Sequence, residues 1–200
     1  MKLLVATHNA GKVREFAEML ADDEIVWLGL DDVGVTEDVV ETGKTFAENA
    51  RLKAQAYAQI TGMLTLADDS GLEVVALNGR PGVYTARYGG EGLTHAQRYM
   101  KLLAEMTAVP WEARRAQFRC VIAVAAPDGR LLAEAEGICP GMIALEPAGD
   151  GGFGYDPVFY LPEYGRTMAQ LPASEKHAIS HRGRALRQLL PALRQIIGSG

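Results

Sequence analysis

Cysteine and long apolar runs are both scarce in this 200-residue sequence. Cys120 and Cys139 are the only thiols, too few for a disulfide framework or a cysteine zinc site. The N-terminal run from Met1 to Ala6 is too short for a signal peptide. The longest apolar run, Cys120 to Ala126, is too short to cross a membrane. We therefore expect a cytoplasmic protein with reduced thiols and no membrane partner.

Basic residues are fewer than acidic residues in the chain. The chain carries 20 Lys and Arg against 25 Asp and Glu, a formal net charge of -5. Because nucleic acids attract proteins through cations that neutralise phosphates, no nucleic-acid polymer is predicted as a partner. A small anion stays compatible if basic groups are gathered locally. The absence of repeats, low-complexity tracts and linker-like segments predicts a single domain over residues 1–200.

Two adjacent carboxylates, Asp68 and Asp69, interrupt the apolar segment from Leu64 to Val75. The apolar residues of this segment are typical of a buried strand, whereas Asp68 to Gly71 is typical of a strand end or tight turn. A carboxylate at the edge of a core requires a cation, a metal or several donors, and such compensation is commonest at functional sites. The alternative is a solvated turn, and this segment alone leaves both open.

The chain begins with the pattern of a strand, a loop and a helix. Lys2 to Ala6 predicts a strand, and the polar turn Thr7 to Lys12 leads into apolar residues at helical spacing up to Leu20. Such a loop presents backbone N–H groups and a helix N-terminus to an anion, and Lys12 adds a positive charge. It is not a P-loop, because Val13 follows where that motif has Ser or Thr. A plain turn is the alternative.

The next region predicts strands and then a well-defined helix. Ile25 to Val40 is predicted to hold one or two strands. The capping-box pattern Thr45–Glu48 predicts a helix start, and Gly62 predicts its end. Asn49 and Lys53 share one face of that helix, so both can act on one ligand. A solvated lysine is the alternative.

The second half of the chain continues the mixed pattern. A second capping box, Thr94–Gln97, precedes a helix with apolar residues at helical spacing up to Met106. Ala116 to Ala125 and Arg130 to Ile138 predict an antiparallel hairpin that turns at Pro127 to Gly129.

Glycine is concentrated between Glu146 and Tyr160. Three glycines in residues 149–154 match G-x-G-x-x-G, but the Tyr-Asp-Pro that follows is incompatible with the helix of a dinucleotide site. The glycines instead allow backbone to approach a flat ligand, with Phe153 and Tyr155 available for stacking. A flexible hairpin end is the alternative.

Basic residues gather at the predicted start of the C-terminal helix, which we expect to kink at Pro191. Positive side chains normally favour helix C-termini, so this placement suggests an anionic ligand. The alternative is a solvated cluster that pairs with surface acids. The cluster consists of Lys176, His177, His181, Arg182 and Arg184.

Five of these stretches, in this order and spacing, resemble the Ham1/RdgB family of inosine and xanthosine triphosphate pyrophosphatases. The resemblance is collinear from Lys2 to about Arg187, and each motif is weak alone. It implies an α/β fold in which helices flank a mixed central β-sheet and two lobes enclose a nucleotide cleft. It also implies a homodimer. The stretches are Thr7–Lys12, Phe46–Lys53, Leu66–Gly71, Phe153–Asp156 and Ser180–Arg182.

The resemblance implies a Mg²⁺-dependent hydrolase that cuts ITP, dITP or XTP between the α- and β-phosphates. It implies Asp69 as the proton acceptor, and Glu41 with Asp69 as metal ligands. The residues implied to hold phosphates are Thr7, His8, Asn9, Ala10, Gly11, Lys12 and Lys53. Those implied to contact the rest of the substrate are Ser70, Phe153, Gly154, Tyr155, Asp156, Lys176, His181 and Arg182.

General chemistry agrees with these implications. Mg²⁺ prefers carboxylate and phosphate oxygens, and phosphoryl transfer needs positioning, charge stabilisation and an activated water. Adjacent residues of an extended chain point opposite ways, so Asp69 is predicted at the metal and Asp68 as its support or a second candidate base. A donor from Lys176, Arg182 or backbone would favour a 6-oxo purine over adenine. The alternatives are a non-catalytic nucleotide sensor and a carboxylate-pair glycosidase.

Overall fold

The structure, a computed structural model, describes residues 1–20 and 25–198. Strands and α-helices alternate up to the fourth strand, after which three further strands and then two helices follow. The strands are β1 Lys2–Val5, β2 Val26–Leu28, β3 Thr65–Val74, β4 Arg115–Ala125, β5 Leu131–Ile143, β6 Phe159–Leu161 and β7 Arg166–Thr167. The α-helices are α1 Ala10–Leu20, α2 Phe46–Thr61, α3 His95–Glu105, α4 Ala173–Ile179 and α5 His181–Gly198.

The described strands form one sheet in the order β2-β1-β3-β4-β5-β6-β7. β1 pairs in parallel with β2 and β3, whereas β6 pairs antiparallel with β5 and β7. Parallel neighbours require crossover connections, and α1 and α2 lie in the connections between the parallel strands. The predicted mixed α/β fold is therefore confirmed.

The chain divides into two compact units. The first takes in the described parts of Met1–Asp69, Cys120–Gly137 and Arg182–Gly200, and the second takes in Ser70–Arg119 and Ile138–His181. β3, β4 and β5 each contribute residues to both units. The predicted single-domain organisation stays a prediction.

Each unit has its own apolar core. In the first, Leu3 of β1 and Ile122 of β4 pack in one cluster with Phe16 of α1 and Leu189 of α5. In the second, the cluster includes Leu102 of α3 and the tilted ring pair of Phe118 and Phe159, whose centroids are 4.4 Å apart. Burying such a side chain contributes about 1.5–3 kcal/mol, so these clusters hold the helices against the strands.

The predicted helix between Thr45 and Gly62 is confirmed. The Thr45 hydroxyl accepts from the Glu48 backbone N–H at 3.1 Å, and the Glu48 carboxylate accepts from the Thr45 N–H at 3.1 Å. Gly62 ends the helix with a left-handed φ of 64°. The second capping box, at Thr94, is present too, at the start of α3. These local signals place Asn49 and Lys53 on the first turns of α2.

Of the one or two strands predicted between Ile25 and Val40, one is present. β2 covers only Val26–Leu28, and a 3₁₀ turn at Asp31–Val33 follows, which ends at Gly34 with a φ of 72°. The Val39 N–H then donates to the hydroxyl of Tyr57 at 3.0 Å. The Val39 N–H therefore has a hydrogen-bond partner on α2 rather than on a neighbouring strand.

The expected turn at Asp68–Gly71 is wrong, because β3 runs without a break from Thr65 to Val74. Both carboxylates are therefore buried within a strand, with 2% of Asp68 and 8% of Asp69 exposed. A strand tolerates such charges only when nearby cations or donors compensate them. The site described below supplies that compensation.

The C-terminal basic cluster is divided between two helices. Lys176 and His177 lie in α4, Ser180 follows it with an extended conformation, and His181 begins α5. The predicted helix is present as two helices that are separated at Ser180, and α5 continues through Pro191. None of the helices in the described ranges has the length and apolar character needed to cross a bilayer.

Candidate functional site

Asp68 is surrounded by cations within the first unit. Lys12 Nζ lies 3.0 and 3.2 Å from its two carboxylate oxygens, and Arg182 Nη2 lies 3.0 Å from Oδ2. Burial would raise the pKa of this carboxyl, but the charges of Lys12, Arg182 and Lys53 outweigh burial and hold the pKa well below its usual range. Asp68 is therefore kept as an anion.

Arg182 is the most buried cation of the cluster, with 3% of its side chain exposed. Its second nitrogen, Nη1, lies 2.6 Å from Glu15 Oε2. Burial lowers the guanidinium pKa, but the charges of Asp68 and Glu15 outweigh burial and raise it. The guanidinium is thus engaged by two carboxylates, and its predicted contact with the substrate base stays a prediction. Sequence reasoning missed Glu15, although its position three residues after Lys12 places both on one helix face.

Asp69 points to the other side of β3 and has a different environment. Asn49 Nδ2 donates to its Oδ2 at 3.1 Å, and Lys53 Nζ lies 3.6 Å from Oδ1. Burial, together with the negative charges of Glu41 and Asp68, outweighs Lys53 and the Asn49 amide and raises the Asp69 pKa to about 6. This carboxylate is therefore only partly compensated.

Lys53 reaches from α2 into a set of acceptors. Its Nζ lies 2.7 Å from Glu41 Oε1 and donates to the Asp68 backbone carbonyl at 2.8 Å. Burial lowers the ammonium pKa, but the charges of Asp69, Asp68 and Glu41 outweigh it and raise the pKa. The solvated-lysine alternative is wrong, since only 13% of the side chain is exposed.

Asn49 connects α2, β3 and the segment that carries Glu41. Its side chain is buried, and its Oδ1 accepts from the Gly43 N–H at 2.8 Å while Nδ2 donates to Asp69. A Cβ at Gly43 would come within 2.5 Å of that Oδ1, so glycine allows the close approach. Asn49 and Lys53 both approach Asp69, and the prediction that they act on one ligand stays a prediction.

The polar turn after β1 forms the N-terminus of α1. The helix begins at Ala10, and Asn9 Oδ1 accepts from the N–H groups of Gly11 at 2.8 Å and Lys12 at 3.3 Å. The Thr7 hydroxyl accepts from the Asn9 N–H at 3.1 Å. Asn9 therefore caps the helix, its side chain takes the N–H groups of Gly11 and Lys12, and their contact with phosphate stays a prediction.

His8 differs from its neighbours in the turn. Its Nδ1 lies 2.6 Å from Asp31 Oδ1, and its Nε2 lies 3.6 Å from Asp38 Oδ1. Both aspartates are strongly exposed. The ring is thus engaged by acidic side chains, and a contact of His8 with phosphate stays a prediction.

The second unit carries an aromatic and charged group that suits a flat ligand. Lys176 Nζ lies 2.8 Å from Asp156 Oδ2 and 4.7 Å from the centre of the Phe153 ring. The Phe153 N–H donates to the same Asp156 oxygen at 2.9 Å, and Gly154 follows with a φ of 65°. Phe153 is 43% exposed, so its ring offers a face for stacking.

Tyr155 belongs to the core of the second unit. Only 3% of it is exposed, and its hydroxyl donates to the Thr85 carbonyl at 3.0 Å. Burial raises its pKa. The stacking role expected for the Tyr155 ring is therefore wrong, and contact through its backbone stays a prediction. His181 stacks on Phe118 at 4.8 Å between ring centroids, and Ser70 lies in β3. The substrate contacts of both also stay predictions.

Two carboxylates of the first unit are the candidates for a metal. Glu41 and Asp69 both approach the Lys53 ammonium, at 2.7 and 3.6 Å. Among the described residues, no group of three or more His, Cys, Asp or Glu side chains is arranged to hold a metal ion. A hard divalent ion at Glu41 and Asp69 would therefore take its remaining oxygens from substrate or water, as Mg²⁺ commonly does.

Comparison with known proteins supplies relatives for the whole chain. A sequence model described as the Ham1 family matches residues 3–192. The chain is 52% identical to a dITP/XTP pyrophosphatase of Geobacillus kaustophilus (strain HTA426), covering 98% of this chain and 96% of the relative. It is 50% identical to a dITP/XTP pyrophosphatase of Shigella flexneri, covering 96% of this chain and 98% of the relative.

Solved structures agree with the sequence comparison. A HAM1 protein from Coxiella burnetii matches with a TM-score of 0.89 and 44% identity, covering 98% of this chain and 99% of the other. The Ham1 protein of Staphylococcus aureus matches with a TM-score of 0.87 and 41% identity, with the same coverage. The described fold is therefore that of these proteins.

Proposed function

The chain belongs to the Ham1 family, and from that premise we propose that it hydrolyses non-canonical purine nucleoside triphosphates. The substrates are dITP, XTP and ITP, and the products are the nucleoside monophosphate and pyrophosphate. Relatives about half identical over nearly the full chain carry the name dITP/XTP pyrophosphatase, which favours a hydrolase over a non-catalytic nucleotide sensor. The observation that carries the proposal is the contrast between the two adjacent aspartates of β3.

Asp69 is the proton acceptor in this proposal. A general base works best with a pKa near the operating pH, and burial with neighbouring negative charge raises the pKa of Asp69 to about 6. Asp68 has the opposite character, because Lys12 and Arg182 hold it as an anion. It serves to fix these two cations.

The chemical step follows from these roles. A water oxygen forms a bond to the α-phosphorus, and the bond between that phosphorus and the oxygen bridging to the β-phosphate breaks. The pyrophosphate leaves with the electron pair of the broken bond. The proton of the attacking water passes to a carboxylate oxygen of Asp69. Such proton transfer contributes about 10²–10⁴-fold in rate.

Glu41 and Asp69 would hold Mg²⁺. Their oxygens are of the type that Mg²⁺ prefers, and the incomplete compensation of Asp69 fits a further cation nearby. When bound, the ion would neutralise charge on the phosphates and help to activate water. To hold the ion, the carboxylates of Glu41 and Asp69 must be fixed in orientation. The hydrogen bond from Asn49 fixes the orientation of Asp69.

Phosphate binding is assigned to the first unit. The N–H groups of Gly11 and Lys12 lie at the N-terminus of α1, where the helix dipole favours an anion, and a phosphate would replace the Asn9 Oδ1 atom that accepts from them. The Lys12 and Lys53 ammonium groups add two positive charges among the acidic residues. These cations give an acidic protein a local place for a polyphosphate.

Base binding is assigned to the second unit. The exposed Phe153 ring offers stacking, and the Lys176 ammonium offers a donor. Hypoxanthine and xanthine carry a 6-oxo acceptor that suits such a donor, whereas the 6-amino group of adenine would leave two donors facing each other. Sites built to hydrogen-bond a particular group reject a mismatched one strongly.

The experiment is an assay of the purified chain with ITP, dITP and XTP in Mg²⁺, in which pyrophosphate and inorganic phosphate are measured separately. We expect pyrophosphate without inorganic phosphate, and far slower cleavage of ATP, whose 6-amino group mismatches the donor. Slower cleavage of GTP is expected from the relatives named dITP/XTP pyrophosphatase and not from this donor, because guanine also carries a 6-oxo group. Triphosphate binding without turnover would instead support the sensor. Equal cleavage of ATP and GTP would contradict the selection of non-canonical bases.

We extend the proposal to a homodimer that acts on the nucleotide pool of the cytoplasm, as the family resemblance implies. Light scattering of the purified chain tests the dimer. A mass near the 21.6 kDa of one chain would contradict it.

A further inference from the structure

The Lys53 ammonium can interact with a phosphate or with two neighbouring carboxylates. The proposed function assigns it to phosphate, yet it is bound by Glu41 Oε1 at 2.7 Å and lies 3.6 Å from Asp69 Oδ1. These are the two carboxylates assigned to the divalent ion. An ammonium group and a metal ion therefore have the same two acceptors.

The formal charges of these groups show why an ammonium and a divalent cation would compete for the two carboxylates. Asp68 and Glu15 balance the formal charges of Lys12 and Arg182, so the remaining charge of the site is set by Glu41, Asp69 and Lys53. Two carboxylates and one ammonium carry a formal charge of -1, whereas the carboxylates alone carry -2 and would match a divalent cation. Asn49, the further partner of Asp69, is a neutral amide and leaves this count unchanged.

We propose that the Lys53 ammonium competes with the divalent cation for Glu41 and Asp69. This inference rests on the proposed function for the metal assignment. In the free protein the ammonium weakens binding of the metal alone. A bound triphosphate offers Lys53 phosphate oxygens in exchange, so the carboxylates become available to the metal when substrate is present.

The geometry permits such an exchange. Lys53 is held on the second turn of the capped helix α2, so its backbone is fixed while its four-carbon side chain can reorient. Its bond to the Asp68 carbonyl, at 2.8 Å, is independent of both carboxylates. The ammonium can therefore release Glu41 and keep one buried acceptor.

The test measures binding of Mn²⁺ or Mg²⁺ alone, without nucleotide, by calorimetry. Lys53→Met keeps the length of the side chain and removes its charge. Because charges a few ångströms apart interact strongly at a partly buried site, we expect the variant to bind the ion at least about tenfold more tightly than wild type. Unchanged or weaker affinity would overturn the proposal.

Two matched variants separate this effect from general loss of positive charge. Lys53→Arg keeps the charge, so its metal affinity should stay close to that of wild type. Lys12→Met removes a cation whose carboxylate partner is Asp68, and it should not tighten metal binding as Lys53→Met does. Equal tightening in Lys12→Met and Lys53→Met would count against competition at Glu41 and Asp69.

Thermal unfolding provides a readout that does not depend on activity. In EDTA, Lys53→Met should unfold at a lower temperature than wild type, because Glu41 and Asp69 lose their shared cation. Mg²⁺ should raise its unfolding temperature more than that of wild type, since ligands stabilise the state they bind. If the variant is unfolded in EDTA, recovery of the fold by Mg²⁺ supports the proposal, and no recovery contradicts it.

The outcomes are separable from the proposed function. Wild type that releases no pyrophosphate from ITP would remove the function, while tighter metal binding by Lys53→Met would still establish the competition. Normal pyrophosphate release by wild type with no gain in metal affinity in Lys53→Met would remove the competition alone.

Discussion

Asp68 and Asp69 are chemically identical neighbours on β3 whose surroundings differ. Asp68 meets two cationic side chains, one from α1 and one from α5. Asp69 meets an amide and one shared ammonium from α2, with Glu41 nearby. The pKa of the first falls and that of the second rises to about 6. The elements packed on each side of a strand therefore decide which of two adjacent carboxylates can accept a proton.

The largest expected effect is on turnover, in Asp69→Asn. Loss of the proton acceptor should lower kcat by about 10²–10⁴-fold. Steady-state release of pyrophosphate from ITP measures it. Asp68→Asn should not imitate this loss among molecules that remain folded, and full activity of Asp69→Asn would break the comparison.

Asp69→Asn, which should lower turnover, should not lower the free energy of unfolding at alkaline pH. Its folded pKa of about 6 exceeds the ordinary value of 3.8, so the folded state holds the proton more tightly. The stability contributed by the protonated form is fully present below the ordinary pKa and is lost as pH rises through about 6. At pH about 8, Asp69→Asn should therefore be at least as stable as wild type in urea unfolding. A clear loss of stability would contradict the raised pKa.

Asp68→Asn should instead destabilise the fold by about 3–5 kcal/mol, because it leaves Lys12 and Arg182 buried without their shared carboxylate. The low pKa of Asp68 gives stability that is present above the ordinary pKa and is lost as pH falls below it. Urea unfolding of both aspartate variants at one pH measures the difference. Equal stability of the two variants would break the comparison.

The pH dependence of the reaction sharpens the same contrast. Only ionised Asp69 can accept a proton, and a divalent cation held by Glu41 and Asp69 would lower the Asp69 pKa from its metal-free value of about 6, so kcat/KM should fall with decreasing pH at or below about 6. Below the midpoint of that fall, the decrease should approach about tenfold per unit, as for one essential base. A profile without such a fall would assign the base to a carboxylate of lower pKa, such as Asp68.

The smallest expected effect lies in the second unit, which contains neither aspartate. Phe153→Ala should raise KM for ITP by about tenfold, in the range of stacking on one base, and leave the acidic limb of the pH profile unchanged. Tyr155→Phe is the control, since it loses one bond to the Thr85 carbonyl and should cost stability of about 1 kcal/mol with little change in KM. An equal rise in KM for both variants would contradict the assignment.

Local signals allowed the sequence to predict much of this fold. The capping boxes at Thr45 and Thr94 and the ending at Gly62 depend on residues close in the chain, and all are present. The number of strands between Ile25 and Val40 was left open, because the apolar pattern of residues 33–40 suits a strand and also a segment bonded to Tyr57, and periodicity cannot distinguish the two.

The sequence indicated the residues of the candidate site better than it indicated their positions relative to one another. Asp68 and Asp69 looked like a turn because two carboxylates are costly inside a strand, and the compensating cations lie far away in sequence. Arg182 binds Glu15 across 167 positions, a pairing without a local signal. Burial of the Tyr155 ring likewise depends on residues distant in sequence, such as Leu72 and Leu102 of the same apolar cluster.

The central claim is that adjacent aspartates on β3 titrate apart. Nuclear magnetic resonance titration of the side-chain carboxyl carbons in the metal-free protein, assigned with Asp68→Asn and Asp69→Asn, measures both directly. We expect Asp69 to titrate near pH 6 and Asp68 to stay ionised well below its ordinary range. Titration of both together near their ordinary pKa, or a higher pKa for Asp68 than for Asp69, would contradict it.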